Sequence, residues 1–253
     1  MLNQINIDDI VTIAKQAGDI IMDIYAKDFS IDYKEDQSPL TEADQKANEL
    51  IVEGLSNLLL KFPILSEEGK TIPFEERKEW EYFWMVDPLD GTKEFIKKND
   101  EFTVNIALIH NHIPILGVVY APALSEMYWA TQGNGAYKNG IPLPLYTNTE
   151  SDKQLKVVAS KSHLSSETQD YIDDLAKTTE NIECVSKGSS LKLCMVAEGS
   201  ADVYPRLAPT MEWDTAAADA IVREAGKMTY QFQSGTAMEY NKENLLNPWF
   251  VVR

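Results

Sequence analysis

The heptapeptide VDPLDGT (86–92) places two acidic residues three positions apart, just after an apolar run. Asp87 closes the predicted strand, Asp90 follows, and Gly91 permits a tight turn before Thr92. Two carboxylates in one turn repel each other unless a cation lies between them, and Mg²⁺ prefers such oxygen ligands. Because aspartate, proline and glycine also form ordinary turns, these residues alone favour a cation site and a plain turn equally.

Other acidic residues would have to join this turn to build such a site. Glu67 and Glu68 follow the apolar end of ILSEEGK, and Asp214 begins the small-residue helix predicted from DTAAADAIVREAG. Asp44 lies three residues after Thr41, an arrangement that resembles a capping box at the start of a helix. Each has an ordinary interpretation, a solvated loop for the glutamates and helix capping for the aspartates. The local patterns do not show whether these segments converge.

Taken together and in order, SEE, VDPLDGTKEF and EWDTAAADAIVREAG resemble the three signature elements of the inositol monophosphatase superfamily of metal-dependent phosphatases. The segments DGTKEFIKKNDEFTVNIALI, PILGVVYAP and GSSLKLCMVAEGSADVYPR resemble more closely its bacterial 3'(2'),5'-bisphosphate nucleotidases. The resemblance extends from about residue 10 to the C-terminus. It implies the layered α-β-α-β-α sandwich of the sugar phosphatases.

The resemblance also implies how metal ions are held. Glu67, Asp87 and the main-chain carbonyl of Leu89 match the first Mg²⁺ site of the family. Asp87, Asp90 and Asp214 match the second site, with Asp87 bridging the two ions. Some members hold a third, weaker ion through the residue that matches Glu67. Two Mg²⁺ ions, with a third in some states, are therefore the expected cofactors.

The matching positions for activation of the attacking water are Thr92 and Asp44, the threonine hydroxyl being hydrogen-bonded to the aspartate. The backbone amides of Gly91 and Thr92 match those that hold the phosphate to be cleaved. On the metal side of the site, the resemblance also implies substrate contacts for Glu67, Leu89, Asp90, Gly91, Thr92 and Asp214.

The KGSSLK segment (187–192) is a glycine–serine turn that opens a predicted helix. Its N–H groups suit an anionic or ribose oxygen, although simple helix capping by Ser189 or Ser190 explains it as well. In the resembling nucleotidases this stretch lines the nucleoside side of the pocket. The candidate substrate contacts here are Gly188, Ser189, Ser190, Lys192 and Arg206, with Lys192 and Arg206 facing the phosphate that is not cleaved. The basic patch KEFIKK (93–98) suits either attraction of an anion or a solvated face.

The resulting hypothesis is a Mg²⁺-dependent hydrolase that converts adenosine 3',5'-bisphosphate to AMP and phosphate in sulfate assimilation, with inhibition by lithium. The alternative is an inositol-phosphate or fructose-bisphosphate phosphatase with the same metal core. A third hypothesis is a non-enzymatic metal- or phosphate-binding protein. An aspartyl-phosphate mechanism with Asp87 as nucleophile is disfavoured, because the pattern of that class has aspartates two positions apart rather than three.

The elements that must position these residues fall into two parts. Residues 6–27 and a segment from Thr41 show the periodicity of amphipathic helices, and from Tyr82 onward consecutive strand-like runs predict an antiparallel sheet. A polar stretch at 146–154 is the predicted boundary. Beyond it, strands and helices alternate as in α/β folds. We therefore expect an N-terminal part (1–150) that carries most metal ligands and a C-terminal part (151–253) that carries Asp214 and the nucleoside pocket, an α+β or α/β architecture overall.

Composition limits the partners. The chain has 253 residues and a formal net charge of −17, which disfavours a nucleic-acid polymer as ligand but not a small phosphorylated nucleotide. No apolar run reaches the ~18 residues of a membrane span, and the acidic N-terminus is unlike a secretory signal. The two cysteines predict reduced, buried thiols and a cytoplasmic protein. Association with the inner membrane surface, and the choice between monomer and homodimer, stay open.

Overall fold

The computed structural model describes residues 4–27, 31–33, 39–146, 154–159, 165–179 and 181–253. The helices are α1 (Ile7–Tyr25), α2 (Glu42–Ser56), α3 (Phe74–Arg77), α4 (Thr92–Ile96), α5 (Ser166–Ala176), α6 (Leu191–Glu198) and α7 (Ala216–Glu224). The strands are β1 (Ile31–Tyr33), β2 (Pro39–Thr41), β3 (Ile64–Ser66), β4 (Tyr82–Asp90), β5 (Thr103–His110), β6 (Ile113–Ala121), β7 (Glu126–Thr131), β8 (Ala136–Lys138), β9 (Ile141–Pro142), β10 (Gln154–Ala159), β11 (Asn181–Ser186), β12 (Tyr204–Arg206), β13 (Thr229–Gln231) and β14 (Phe250–Val252).

Helices α1 and α2 form the first layer. The side chain of Asn6 caps α1 by accepting a hydrogen bond from the amide of Asp8, and the apolar stripe predicted from the sequence is buried along the helix. Helix α2 begins at Thr41 with a complete capping box, in which Asp44 accepts the Thr41 amide. Both predicted helices are confirmed.

The large sheet has seven strands in the order β3-β4-β5-β6-β7-β8-β9. Neighbouring strands pair antiparallel, as expected, from β4 onward. Strand β3 was not predicted, and it pairs parallel with β4. Its three residues are too short to show an alternation of their own, so the sequence indicated only an apolar segment before Glu67.

The C-terminal part contains two smaller sheets, a parallel pair β10-β11 and an antiparallel triplet in the order β12-β14-β13. An isolated parallel bridge between Val157 and Val203 joins them. The alternation of strands and helices is therefore as expected, but three of these five strands are antiparallel, unlike a uniform α/β sheet. Residues 147–153, which include most of the predicted boundary, lie outside the described residues, so the division at 150 stays a prediction.

Three buried clusters mark the layers. One lies between α1, α2 and a face of the large sheet, and a second between the opposite face, α6, α7 and the small sheets. The third joins α5 to residues of β10, β11 and β14. Gly117 on β6 lets α7 approach closely, because an added Cβ would lie 2.1 Å from the carbonyl oxygen of Ala217. The order helix, sheet, helix, sheet, helix confirms the predicted sandwich.

Both cysteines are free, but only Cys194 is buried; Cys184 is exposed on β11, so the expectation of two buried thiols was wrong. None of the six residues of β11 is buried, and Asn181 and Cys184 are exposed. Within the described ranges, no helix is both long enough and apolar enough to cross a bilayer.

Candidate active site

A bulge in strand β4 brings the two aspartates of VDPLDGT into one turn. Asp87 pairs with Asn105 and Asp90 pairs with Thr103, so three steps along β4 correspond to two along β5. In a regular strand, residues three apart point to opposite faces, and the extra residue removes this separation. The Leu89 amide donates to Asp87 Oδ1 at 3.1 Å, which fixes the turn.

Three carboxylates from different elements meet at this turn. Oxygen atoms of Glu67, Asp87 and Asp214 all lie within 4.8 Å of one another. Glu67 follows β3 and Asp214 lies just before α7, so the parallel pairing of β3 and the packing of α7 bring them to the end of β4. Asp90 stands beside this trio rather than in it, and its Oδ2 accepts the amide of Ser190 at 2.6 Å. The convergence that the sequence could not show is present.

The acids raise one another's pKa values. Burial, followed by the charges of Glu67 and Asp90, raises the pKa of Asp87 well above its usual range. Burial and the charges of Asp90 and Glu67 do the same to the pKa of Asp214. Burial also raises the pKa of Asp90, to about 6, although Lys192 and the Ser190 amide act in the opposite direction. The three aspartates therefore favour their protonated form unless a cation takes the place of the proton.

Thr92 and Asp44 are in contact, as the resemblance implies. Thr92 Oγ1 lies 3.2 Å from Asp44 Oδ1 and 3.3 Å from the carbonyl oxygen of Leu89. Asp44 Oδ2 accepts both the amide and the hydroxyl of Thr41 at 2.7 Å. Capping and the contact with Thr92 are therefore compatible, because one oxygen of Asp44 caps α2 while the other faces Thr92. The role of Asp44 in activating water stays a prediction.

Gly91 makes the sharp passage from β4 to α4. Its φ of +93° is left-handed, and an added Cβ would lie 3.1 Å from the carbonyl oxygen of Glu101. Helix α4 begins at the next residue, Thr92, so the amides of Gly91 and Thr92 lie at a helix start, where backbone donors have no partner within the helix.

The acids form one wall of a cavity of about 270 Å³, and the segment after β11 forms another. Gly188, Ser189, Lys192 and Arg206 all line this cavity. Lys192 is buried; burial lowers its pKa to about 8, with Arg206 acting in the same direction and Asp90 opposing. The sequence-predicted residues of the nucleoside side and of the metal side therefore share one cavity.

Two polar atoms beside this cavity are buried without a hydrogen-bond partner in the part of the chain that the structure describes. They are Ser189 Oγ and Arg206 Nε. Unpaired buried donors are costly, and both atoms belong to residues that line the cavity. The hydroxyl of Ser190, in contrast, contacts Asn105 Oδ1 and Thr103 Oγ1, both at 2.9 Å. Its expected contact with substrate stays a prediction, with the hydroxyl already engaged on β5.

The residues of the predicted basic patch KEFIKK lie in different environments. Lys93 lines the cavity, Phe95 is fully buried, and Lys98 Nζ donates to the carbonyl of Tyr25 at the end of α1. Sequence reasoning missed five further lining residues, namely Glu94, Leu193, Tyr204, Thr210 and Thr215. Their local patterns are those of ordinary loop, strand and helix-start residues, and only tertiary packing brings them to the cavity.

The family model described as "Inositol monophosphatase family" matches residues 4–251 of this chain. The protein named 3'(2'),5'-bisphosphate nucleotidase CysQ from Salmonella typhimurium is 44% identical over 248 residues, which cover 97% of this chain and 98% of that protein. The protein of the same name from Escherichia coli (strain K12) is 44% identical over 249 residues, with the same coverage.

Solved structures agree with these sequence matches. The crystal structure of CysQ from Bacteroides thetaiotaomicron, described as a bacterial member of the inositol monophosphatase family, has a TM-score of 0.87 and 49% sequence identity. It covers 96% of this chain and 94% of its own. An IMPase from Thermotoga maritima has a TM-score of 0.77 at 25% identity and covers 97% of this chain and 91% of its own.

Proposed function

Because the chain belongs to the inositol monophosphatase family, we propose that it is a Mg²⁺-dependent phosphatase that converts adenosine 3',5'-bisphosphate to AMP and phosphate. Relatives that are 44% identical over almost the whole chain carry the name of 3'(2'),5'-bisphosphate nucleotidase, which supports this substrate class. A place in sulfate assimilation and inhibition by lithium, both implied by the resemblance, are parts of the same proposal.

The observation that carries the proposal is the pairing of two unlike walls in one cavity. One wall holds the carboxylates of Glu67, Asp87 and Asp214, and the other holds the cations of Lys192 and Arg206. A substrate with two phosphates fits this arrangement, since one phosphate would meet the acid wall through metal ions and the other would meet the cations directly.

The donor set fits Mg²⁺. Its members are oxygen atoms of Glu67, Asp87, Asp90 and Asp214, together with the carbonyl of Leu89, and oxygen is the ligand atom that this ion prefers. The raised pKa values of three of these aspartates indicate negative charge that a cation would neutralise. When bound, Mg²⁺ makes water a better nucleophile and stabilises charge on the entering and leaving oxygens.

In this proposal Thr92 and Asp44 manage the proton of the attacking water. The hydroxyl of Thr92 donates to Asp44 Oδ1, which leaves an oxygen lone pair of Thr92 to accept a hydrogen bond from the water. The water oxygen forms a new bond to phosphorus as the bond from phosphorus to the 3' oxygen breaks. The water gives one proton to Thr92 Oγ1 while the proton of Thr92 passes to Asp44, and the 3' oxygen takes up one proton from solvent. Asp44 then returns its proton to solvent, so that one water is consumed with no net change in protons. The amides of Gly91 and Thr92 hold the phosphate during this displacement.

On the other wall, Lys192 and Arg206 bind the 5'-phosphate and Ser189 contacts the nucleoside. The buried, unpaired Ser189 Oγ and Arg206 Nε support these roles, because a ligand oxygen would complete their hydrogen bonding. Tyr204 supports the position of Lys192, whose Nζ lies 5.6 Å from the centre of the tyrosine ring.

The rival within the family is an inositol-phosphate or fructose-bisphosphate phosphatase, and the rival outside it is a binding protein. The contact between Thr92 and Asp44 favours an enzyme, because a pure binder has no need of a pair that activates water. Phosphate release from adenosine 3',5'-bisphosphate, inositol 1-phosphate and fructose 1,6-bisphosphate, each with Mg²⁺ or EDTA, separates the three hypotheses. Release from none of them would favour the binder.

A further inference from the structure

Residues 241–247, which we call the C-terminal clasp, run along the turn that precedes α7 and carries Asp214. The amide of Glu212 donates to the carbonyl of Leu245, and the amide of Asn247 donates to the carbonyl of Thr210. An isolated antiparallel bridge pairs Met211 with Leu246. The clasp therefore pairs with the 210–215 turn in the manner of a strand, although neither segment belongs to a sheet.

The side chain of Asn247 completes this pairing. Its Nδ2 lies 2.7 Å from the carbonyl oxygen of Met211 and 3.0 Å from Thr215 Oγ1. The amide of Met211 in turn donates to Asp214 Oδ2 at 2.9 Å. Asn247 thus fixes Met211, and Met211 in turn fixes the carboxylate of Asp214. The side chain of Asn247 is itself buried.

Glu212 ties the other end of the clasp to the same turn. Its fully buried carboxylate accepts the amides of Asn241 and Lys242 at 2.6 and 3.0 Å, and Lys242 Nζ at 2.6 Å. Two backbone donors and one cation satisfy a carboxylate that would otherwise be costly to bury. This gives the turn a second fixed point, two residues before Asp214.

Arg77 connects the clasp to α3, the first helix after Glu67 in the chain. Its guanidinium donates to Asn241 Oδ1 at 2.9 Å and to the carbonyls of Lys242 and Glu243 at 2.6 and 2.7 Å. Arg77 ends α3, the first helix after Glu67, and is buried. One segment of seven residues is therefore bound both to the turn that carries Asp214 and to α3.

We propose that the C-terminal clasp sets the position of Asp214 as a metal ligand and that Asn247 is the positioning residue through which it acts. The inference rests on the proposed function, because it takes Asp214 as a ligand of Mg²⁺. Asn247 is not among the residues that line the cavity. Its effect on the reaction passes through Met211 to the Asp214 carboxylate, as outer hydrogen-bond partners of ligands do in other metal sites.

The test is Mg²⁺ binding to the protein without substrate, measured by calorimetry on the wild type, Asn247→Ala and Asp214→Asn. Loss of a hydrogen bond made directly to a ligand lowers metal affinity by about 10- to 100-fold. Asn247 acts one residue further out, through Met211, so we expect the Kd of Asn247→Ala to rise by about tenfold, the lower end of that range. We expect the Mg²⁺ concentration for half-maximal activity to rise in parallel. The KM for the nucleotide at saturating Mg²⁺ should stay within about twofold, since Asn247 lies outside the substrate wall.

Tyr128→Phe is the matched control, because it removes a buried hydrogen bond of 2.9 Å to Glu198 away from the cavity. An Asn247→Ala protein with the thermal stability of this control and an unchanged Mg²⁺ Kd would overturn the proposal. If Asn247→Ala does not fold, Lys242→Met tests the other end of the clasp, and its Mg²⁺ Kd should also rise. An unchanged Mg²⁺ Kd in Lys242→Met would contradict the proposal. If Asp214→Asn binds Mg²⁺ like the wild type, the assignment of Asp214 as a ligand fails instead.

Discussion

The backbone amide of Ser190 donates a hydrogen bond of 2.6 Å to Asp90 Oδ2, across one hundred residues of chain. The hydroxyl of Ser190 is held by Thr103 and Asn105 on β5, the strand that pairs with the bulge of β4. Ser190 stands immediately before α6, so this contact fixes the wall that carries Lys192 relative to the acids. The contact therefore sets the distance between the acidic wall, where the reacting phosphate would bind, and the wall where the second phosphate would bind.

Removal of the Asn105 side chain should make the position of Ser190, and with it the distance between the two walls, less fixed. We expect Asn105→Ala to raise the KM for adenosine 3',5'-bisphosphate about fivefold, since a neutral hydrogen bond is worth about 1 kcal/mol. The Mg²⁺ requirement should change little, because Asn105 contacts Ser190 rather than the carboxylates. Steady-state kinetics at several Mg²⁺ concentrations measures both. Asn139→Ala, which loses a contact with the Met127 amide outside the cavity, is the control.

Lys192→Met should change the selectivity between substrates. A hydrogen bond to a charged group is worth about 1.5–3 kcal/mol, so kcat/KM for the bisphosphate should fall by about 10- to 100-fold. The kcat/KM for 3'-AMP, which lacks the second phosphate, should fall much less. Lys187→Met is the control, because Lys187 belongs to the same segment but pairs with Glu101 at 3.4 Å. Equal losses on both substrates would remove Lys192 from the second phosphate site.

Asp87→Asn should cut kcat by at least about 10²-fold, the loss typical of a key electrostatic group. It replaces the one carboxylate that is expected to bridge two metal ions. In EDTA the same variant should melt at a higher temperature than the wild type, because burial and neighbouring acids disfavour the Asp87 charge. Kinetics and thermal melts on one preparation give both results. Near-normal turnover would contradict the two-metal assignment.

Without metal, the protein should become more stable as the pH falls from 7 to 5. The folded-state pKa of Asp90 is about 6, against an unfolded value of about 4, so the folded state binds more protons in this range. Stability is then lost as the pH rises between these two values. Thermal melts in EDTA should show a smaller pH effect in Asp90→Asn than in the wild type. An identical pH dependence in the two proteins would show that Asp90 does not titrate as described.

The helices and the long strands could be predicted from sequence because each buries a regular apolar pattern. Thr41 and Asp44 gave the start of α2 directly, since a capping box is a local device. Strand β3 and helix α3 could not be predicted, because three or four residues are too few for periodicity. Their positions depend on pairing with β4 and on the contacts of Arg77 with the clasp.

The site shows the same division. The order and types of the acidic residues, together with the family resemblance, predicted a cluster of carboxylates. The structure brings three of them, Glu67, Asp87 and Asp214, together. The clasp could not be predicted, because Asn247 acts on Asp214 through a contact between segments that are distant in sequence. Buried polar residues such as Asn247 have no local pattern that marks their partner.

The central claim, metal-dependent hydrolysis of a nucleotide bisphosphate, is tested most directly by identifying the products from adenosine 3',5'-bisphosphate. The purified protein with Mg²⁺ should yield 5'-AMP and one equivalent of phosphate, and EDTA should abolish the reaction. We predict a kcat/KM at least about 10²-fold above that for inositol 1-phosphate, which has no second phosphate for Lys192 and Arg206. Release that is insensitive to EDTA, 3'-AMP as the product, or a preference for inositol 1-phosphate would contradict the account.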